Sequence, residues 1–307
     1  MSALVGFRVS SAREADAADI ATLLTVAERA DGIDEETTAA DVLDGWRRLN
    51  RKHDAWIVER AGGSLAGYAD VTVIAPGRYR GDGYVDPAER GRGIGAMLLG
   101  LTEARTLELA AGRPANLYNS VPASNEAAGR LLEASGYTLA RRSFRMATTL
   151  DDSPPAAVLP EGIVACTLDP DRDGRAVHVA SEEIFADHWD PVFVPYEQFR
   201  KTHFEGESFD PQLWILAMAG DEIAGIAACR IRYGRGFVDE LGVRRPWRGL
   251  GLGLALLQLA FEAFWRRGQR TVALSVDTDN LTGATRLYER AGMEVEFEVG
   301  IYRKELP

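Results

Sequence analysis

Leu241-Gly-Val243-Arg-Arg-Pro-Trp-Arg248-Gly-Leu-Gly-Leu-Gly253 is the stretch on which the reading of this chain turns. The spacing predicts a strand from Phe237 to Val243, a turn at Arg245-Pro246, and a helix that begins within Arg248 to Gly253 and runs to about Arg267. Glycine at every second position leaves no Cβ over the first helical turn, so a ligand can approach the backbone closely. The unpaired N–H groups of that turn and the positive end of the helix dipole suit a phosphate or pyrophosphate. Arg244, Arg245 and Arg248 add positive charge at the same end. The alternative is a glycine-rich turn that only lets a helix pack closely on a strand.

Two familiar phosphate loops do not fit. A P-loop needs Lys-Ser/Thr after its last glycine, and here Leu254-Ala255 follow. In a dinucleotide fingerprint the third glycine falls one residue later than Gly253. The motif, however, occurs twice. Val85-Asp-Pro-Ala-Glu-Arg90-Gly-Arg-Gly-Ile-Gly95-Ala-Met-Leu-Leu99 has the same internal spacing, and the second copy lies 158 residues after the first. Downstream, the run from Asn125 through Leu131-Leu132 to Gly136 echoes the run from Asn280 through Leu287-Tyr288 to Gly292. A repeat of this length matches two whole domains rather than a solenoid unit.

Arg/Gln-x-x-Gly-x-Gly/Ala after Val-x-x-x-x resembles the pyrophosphate loop of the GNAT superfamily, acetyl-CoA-dependent N-acetyltransferases. The resemblance implies an α/β (α+β) fold: two GNAT-like domains, each a mixed, mostly antiparallel sheet splayed at its middle with helices on both faces. Residues 1–150 are expected to form the N-terminal domain and 161–307 the C-terminal one. The acidic, proline-rich run 151–160 reads as the linker. Apolar periodicity predicts helices over Asp16–Ala30 and Glu35–Leu49 and a hairpin turning at Gly62-Gly63. The strand Tyr79–Val85 is expected to be poor, because two internal glycines weaken pairing and packing.

Composition bounds the function. The chain of 307 residues is 46% apolar and 26% charged, with a net charge of -11. That describes a globular protein and disfavours nonspecific binding to nucleic acid or an anionic membrane. Cys166 and Cys229 offer neither a disulfide framework nor metal-ligand spacing, so no metal is expected. No signal peptide or spanning apolar run is read, which points to a reducing cytoplasm. A monomer or a homodimer is expected.

Acetyl transfer from a thioester to an amine requires that CoA be held, the thioester oxygen polarised, the amine deprotonated and the thiolate protonated or hydrogen-bonded. The resemblance implies that pantetheine pairs along Leu241, Gly242 and Val243 like an added strand, with the Val243 N–H near the thioester oxygen. The pyrophosphate would sit on Arg248, Gly249, Leu250, Gly251, Leu252, Gly253 and Leu254. Val85, Arg90, Gly91, Arg92, Gly93, Ile94 and Gly95 are the corresponding CoA positions of the first copy. Tyr288 resembles the tyrosine of a Leu-Tyr-Glu-x-x-Gly signature whose hydroxyl reaches the CoA sulfur; the alternative is core packing. Asn280 resembles the family's CoA-contacting asparagine, one residue farther from the tyrosine than usual. The family's strand glutamate falls on Phe237, so Asp239, which shares its face by the two-residue period, and Glu240 are the candidate bases. The alternative pairs both carboxylates with Arg244, Arg245 or solvent.

The first copy has Leu132 where the second has Tyr288, so it lacks the proton donor and the second copy is expected to be catalytic. A degenerate first half with a working second half resembles the mycothiol synthase family, which acetylates the cysteinyl amine of a sugar-inositol precursor. Phe185-Ala-Asp-His188-Trp-Asp190 resembles that family's Phe-Ala-Gly-His-Pro-Glu segment, and Arg230 falls where the family uses lysine. His188, Asp190 and Arg230 are therefore the substrate-binding candidates. An arginine is not a lysine at a shaped contact, so the likeness covers the architecture and leaves the acceptor open. The function expected is acetyl-CoA-dependent N-acetyl transfer to the amine of a small molecule or aminoacyl substrate. A noncatalytic acyl-CoA-binding or scaffold protein, and transfer to protein N-termini, stand as alternatives.

Overall fold

Residues 5–206, 208–278 and 283–307 are described by the computed structural model of the chain. They divide between two units, one made of residues 1–143 and 297–307, the other of 144–296. In the first, β1 (Phe7–Ser11) precedes α1 (Ala17–Ala30), α2 (Ala39–Trp46) and the single turn α3 (Arg51–Asp54). Then come β2 (Ala55–Arg60), β3 (Leu65–Ala75), β4 (Arg78–Val85), α4 (Ile94–Ala110), β5 (Ala115–Pro122) and α5 (Glu126–Ala134). The helix expected over Glu35–Leu49 is shorter because Thr38 caps it. Its hydroxyl accepts from the Asp41 N–H while the Asp41 carboxylate accepts from the Thr38 N–H, a reciprocal box that fixes the start.

Alternation along the strands gives the sheet two apolar faces. Ile57 and Tyr68 face Ile20, Leu23 and Trp46 of α1 and α2, whereas Val58, Ala66 and Ala69 face Ile94 and Leu98 of α4. β4 pairs with β3 along its whole length, from Gly67↔Val85 to Ala75↔Arg78. The expectation of a poor strand is thus corrected: backbone pairing survives the glycines. On its other side β4 runs parallel to β5 for Arg78–Arg80 against Asn116–Tyr118, after which the strands part. That parting is the splay.

β6 (Thr138–Thr149) begins in the first unit and ends in the second. The second unit repeats the order with β7 (Ile163–Thr167), α6 (Pro170–Phe185), α7 (Tyr196–His203), β8 (Trp214–Ala219), β9 (Glu222–Arg232) and β10 (Arg235–Val243). α8 (Leu252–Arg266), β11 (Thr271–Asp277), α9 (Ala284–Arg290) and β12 (Glu294–Leu306) complete it. Leu256, Phe261 and Phe264 of α8 cover one sheet face; Val177, Ile184 and Phe199 of α6 and α7 cover the other. β10 runs parallel to β11 only for Gly236–Val238, so the second sheet splays as the first does. The units do not divide cleanly at 151–160. Met146 and Leu150 lie in the second core, while β12 pairs antiparallel with β5 from Val299↔Pro122 to Leu306↔Ala115.

Candidate active site

The alternate glycines do two different jobs. Gly91, Gly93, Gly249 and Gly251 have φ between 78° and 85°, with Gly93 and Gly251 at the N-caps of α4 and α8. A Cβ at Gly91, Gly249 or Gly251 would meet nothing within 4 Å, so it is the left-handed backbone that calls for glycine there. Gly95 and Gly253 serve packing instead: a Cβ would come 3.1 Å from Leu131 Cδ2 and 2.9 Å from Leu287 Cδ1. The third glycine therefore seats α5 or α9 against the start of the cradle helix. In each unit the first turn leaves backbone N–H groups at an open, positive helix end, which fits a diphosphate. Leu254 is a poorer donor than the other loop residues, since its N–H already bonds to Gly251 O at 3.1 Å.

The extra positive charge expected at this end is largely neutralised. Asp187 lies 2.5 Å from Arg245 and 3.2 Å from Arg248, and the two guanidiniums hold its carboxyl below its ordinary value. Arg244 pairs with Glu183 at 2.6 Å, and Arg248 Nε also donates to Val243 O at 2.9 Å. The first unit repeats the pattern with Arg90 on Asp31 at 2.7 Å, and Arg92 pairs with Glu89. Arg90 ties the first cradle to the end of α1, and Arg244, Arg245 and Arg248 tie the second to the end of α6. What this turn offers an anion is chiefly backbone.

Leu241, Gly242 and Val243 pair on one side with Ala227, Ile226 and Gly225 of β9, and on the other side β11 has already turned away. That leaves a free strand edge running into the cradle. A β-bulge interrupts the ladder between Val238 and Glu240, so Asp239 is the extra residue. Both candidate carboxylates consequently lie toward α6 and α7, although the two-residue period would set neighbours on opposite faces.

Their partners differ. Asp239 receives Arg230 Nε at 2.5 Å and pairs with Arg232 at 2.7 Å, so Arg230, a substrate-binding candidate, is committed to a neighbour within the unit. Glu240 accepts from Ser181 Oγ at 2.9 Å and lies 3.2 Å from His203 Nε2. His203 stacks on Phe199 with ring centroids 4.2 Å apart. Burial pushes the Glu240 carboxyl upward, but hydrogen bonds and charge from His203, with Ser181 and Arg230, outweigh it and hold the group below its ordinary value. The pairing with Arg244 or Arg245 is not what the fold makes.

Tyr288 is buried in the second core, where burial pushes its phenol up to about 12 and keeps it protonated across the neutral range. His188 packs edge-on against Phe185 at 4.8 Å, and burial, opposed by the charges of Asp277 and Asp187, lowers its imidazole. Asp190 has a φ of 54°, the left-handed region that asparagine and aspartate tolerate best. Asn280 lies outside the described residues. Ser181 and His203 went unread because no motif marks them; they meet Glu240 only through the packing of α6 and α7 on β10.

The sequence model described as "Acetyltransferase (GNAT) family" matches residues 19–137 and 181–293, one match over each cradle. The chain belongs to the GNAT family. Its tandem GNAT architecture makes it an N-acetyltransferase of a family that uses acetyl-CoA. It is similar to the mycothiol acetyltransferase of Kineococcus radiotolerans, 32% identical over 92% of each chain. Among solved structures it is similar to a GCN5-related N-acetyltransferase from Sphaerobacter thermophilus, 37% identical with a TM-score of 0.85, covering 99% of this chain and 97% of that one. A tandem GNAT protein from the clavulanic acid biosynthesis pathway, at 21% identity, shares the fold: TM-score 0.72 over 97% of this chain and 98% of that one. Among the described residues of this GNAT chain, no helix is long and apolar enough to cross a membrane.

Proposed function

We propose that the second unit moves an acetyl group from acetyl-CoA to the amine of a small molecule, and that both cradles hold acetyl-CoA. Bound there, acetyl-CoA supplies an activated acyl thioester. Amides of Gly249 to Gly253 receive its diphosphate, and the free edge of Leu241 to Val243 receives its pantetheine arm. Tyr288, still protonated at neutral pH, donates to the departing sulfur. Asp239 has an arginine on each carboxylate oxygen, so the amine's proton is assigned to Glu240, with His203 behind it. Asp239 with Arg230 and Arg232 then shapes the acceptor side, joined by His188 and Asp190.

The observation that carries this reading is the seat of Leu287, the neighbour of Tyr288 on α9, against Gly253 of the cradle, which supports a role for the phenol at the bound thioester. Relatives bear the name mycothiol acetyltransferase, and we assign this chain the same class of amine acceptor. Asp190, Arg230 and Phe237 set its acceptor contacts apart. The test is thiol release with acetyl-CoA and an amine panel that includes the cysteinyl precursor of mycothiol. Tyr288→Phe is expected to lower kcat about 100-fold or more while acetyl-CoA binding holds. Unchanged turnover in that variant removes Tyr288 from the mechanism, and binding without turnover of any amine makes the chain an acyl-CoA-binding protein.

A further inference from the structure

The first unit has Leu132 where the second has its phenol, yet its splayed sheet opens a cavity of about 410 Å³. Cradle residues from Arg90 to Gly95 form one part of the wall; Glu28, Asp82 and Tyr84 form another. Gly81 and Gly83 line it too, where the repeat gives the second unit Asp239 and Leu241. The missing side chains leave room at the splay. Asn119, buried on the same wall, has its Oδ1 toward Gly81.

Asp82 stands directly opposite Asp70 across β3 and β4. Opposed side chains of an antiparallel pair have Cβ atoms about 4.5–5.5 Å apart, and like charges so placed are destabilising. Asp70 accepts from the Tyr68 hydroxyl at 2.6 Å, and Trp46 Nε1 donates to that hydroxyl at 2.8 Å, which turns the phenolic proton toward Asp70. Arg80 Nε lies 2.8 Å from Asp82. Burial first, then the charge of Asp82, pushes the Asp70 carboxyl up to about 7, against Tyr68 and Arg80. At the same cross-strand position the second unit sets Ala228 opposite Glu240. The copy without the phenol therefore carries its two splay carboxylates opposite one another across two strands, where the other carries Asp239 and Glu240 in sequence on one strand. Glu28 and Asp82 line its cavity, with Asp70 opposite Asp82 and Arg80 on Asp82, whereas Asp239 of the other unit is held by both Arg230 and Arg232.

We propose that the first unit is a second acyl-transfer centre, selective for a cationic amine, in which Asp82 takes the amine's proton and Asp70 shares it. The proposal goes beyond the second-unit reaction and rests only on a CoA thioester lying in the first cradle. A bound ammonium gives one proton to Asp82. Its nitrogen then forms the C–N bond to the acyl carbon as the C–S bond breaks. The second proton passes from nitrogen through water to the thiolate, Leu132 having none to give. Amide and free thiol leave, and the carboxylate pair returns its proton to solvent.

The full chain is titrated with acetyl-CoA by calorimetry, with two sites expected; Gly93→Val, strained at a φ of 85°, removes one. Spermidine, cadaverine and lysinamide are the amine probes. With the second cradle disabled by Gly251→Val, thiol release with these probes persists. Adding Asp82→Asn lowers their kcat/KM at least 100-fold without changing the stoichiometry of that protein. Asp70→Asn moves the pH midpoint of kcat, which a merely structural role leaves in place. One acetyl-CoA per chain overturns the proposal, as does background thiol release by Gly251→Val with all three probes. Should Gly251→Val fail to fold, Gly93→Val gives the reciprocal test: loss of turnover with the probes is expected, and turnover equal to that of the unaltered chain overturns the proposal. Thiol release by the unaltered chain with the cysteinyl precursor tests the second-unit reading by itself, so failure here and failure of that reading are separable.

Discussion

Replacing Gly242 with alanine puts a methyl carbon 2.0 Å from Ile184 Cγ2. Carbon atoms rest about 3.5–4.0 Å apart, so the contact must open by roughly 1.5 Å. Ile184 is 4% exposed within the α6 face of the core and cannot swing aside. The strain passes either to β10, whose free edge leads into the cradle, or to the end of α6, where Asp187 holds Arg245 and Arg248. Overpacking of this kind costs about 1–3 kcal/mol, or roughly 3–10 °C in the melting temperature of a unit this size. Ile184→Ala alone leaves a cavity costing about 2–5 kcal/mol. In the double variant the nearest atom of residue 184 becomes its Cβ at 3.4 Å, so the alanine at 242 should then cost close to nothing. Thermal and denaturant unfolding of the four proteins gives the coupling, expected at about 1–3 kcal/mol. The acetyl-CoA KM should rise in Gly242→Ala and recover in the double variant. Strictly additive effects would refute the claim that this glycine exists to let α6 approach the cofactor strand.

Glu240→Gln should lower kcat/KM about 100-fold or more. Because the Glu240 carboxyl is held low, its charged-state stabilisation is present above its ordinary value and lost only as pH falls through the folded one. Its titration should thus leave the pH–rate profile flat between pH 6 and 8, and a limb there that disappears in Glu240→Gln would contradict the assignment. Asp70 has the opposite sign: its folded value is raised, so stability is fullest below the ordinary carboxylate range and falls as pH rises toward about 7. Asp70→Asn should therefore stabilise the protein by about 1–3 kcal/mol at pH 8 and little at pH 4. Equal effects in denaturant unfolding at the two pH values would argue against an Asp70–Asp82 pair that shares a proton.

The duplicated glycine pattern made most of the fold legible, because positive-φ turns and the start of a helix leave local marks in sequence. Val85–Arg90 and Val243–Arg248 spacing carried the strand-to-cradle geometry of both units. Three things were not local. Gly81 and Gly83 read as breakers of β4, but ladder pairing is a backbone property, and what they remove is side chains from the cavity wall. Arg244, Arg245 and Arg248 read as ligand charge, yet Asp187 and Glu183, some sixty residues earlier, had to fold against them before their role was visible. Placing Asp239 and Glu240 required a bulge that no residue type announces, and Ser181 and His203 required helix packing. β12 leaving the second unit for β5 was equally hidden, since either final strand satisfies the alternation rule.

The most direct measurement is a crystal structure of the full chain with acetyl-CoA bound. The diphosphate should lie within about 3.5 Å of amide nitrogens between Gly249 and Gly253, and the Tyr288 hydroxyl should reach the CoA sulfur directly or through one water. A diphosphate bound away from those amides, or a phenol separated from the sulfur by more than a single water, would contradict the account.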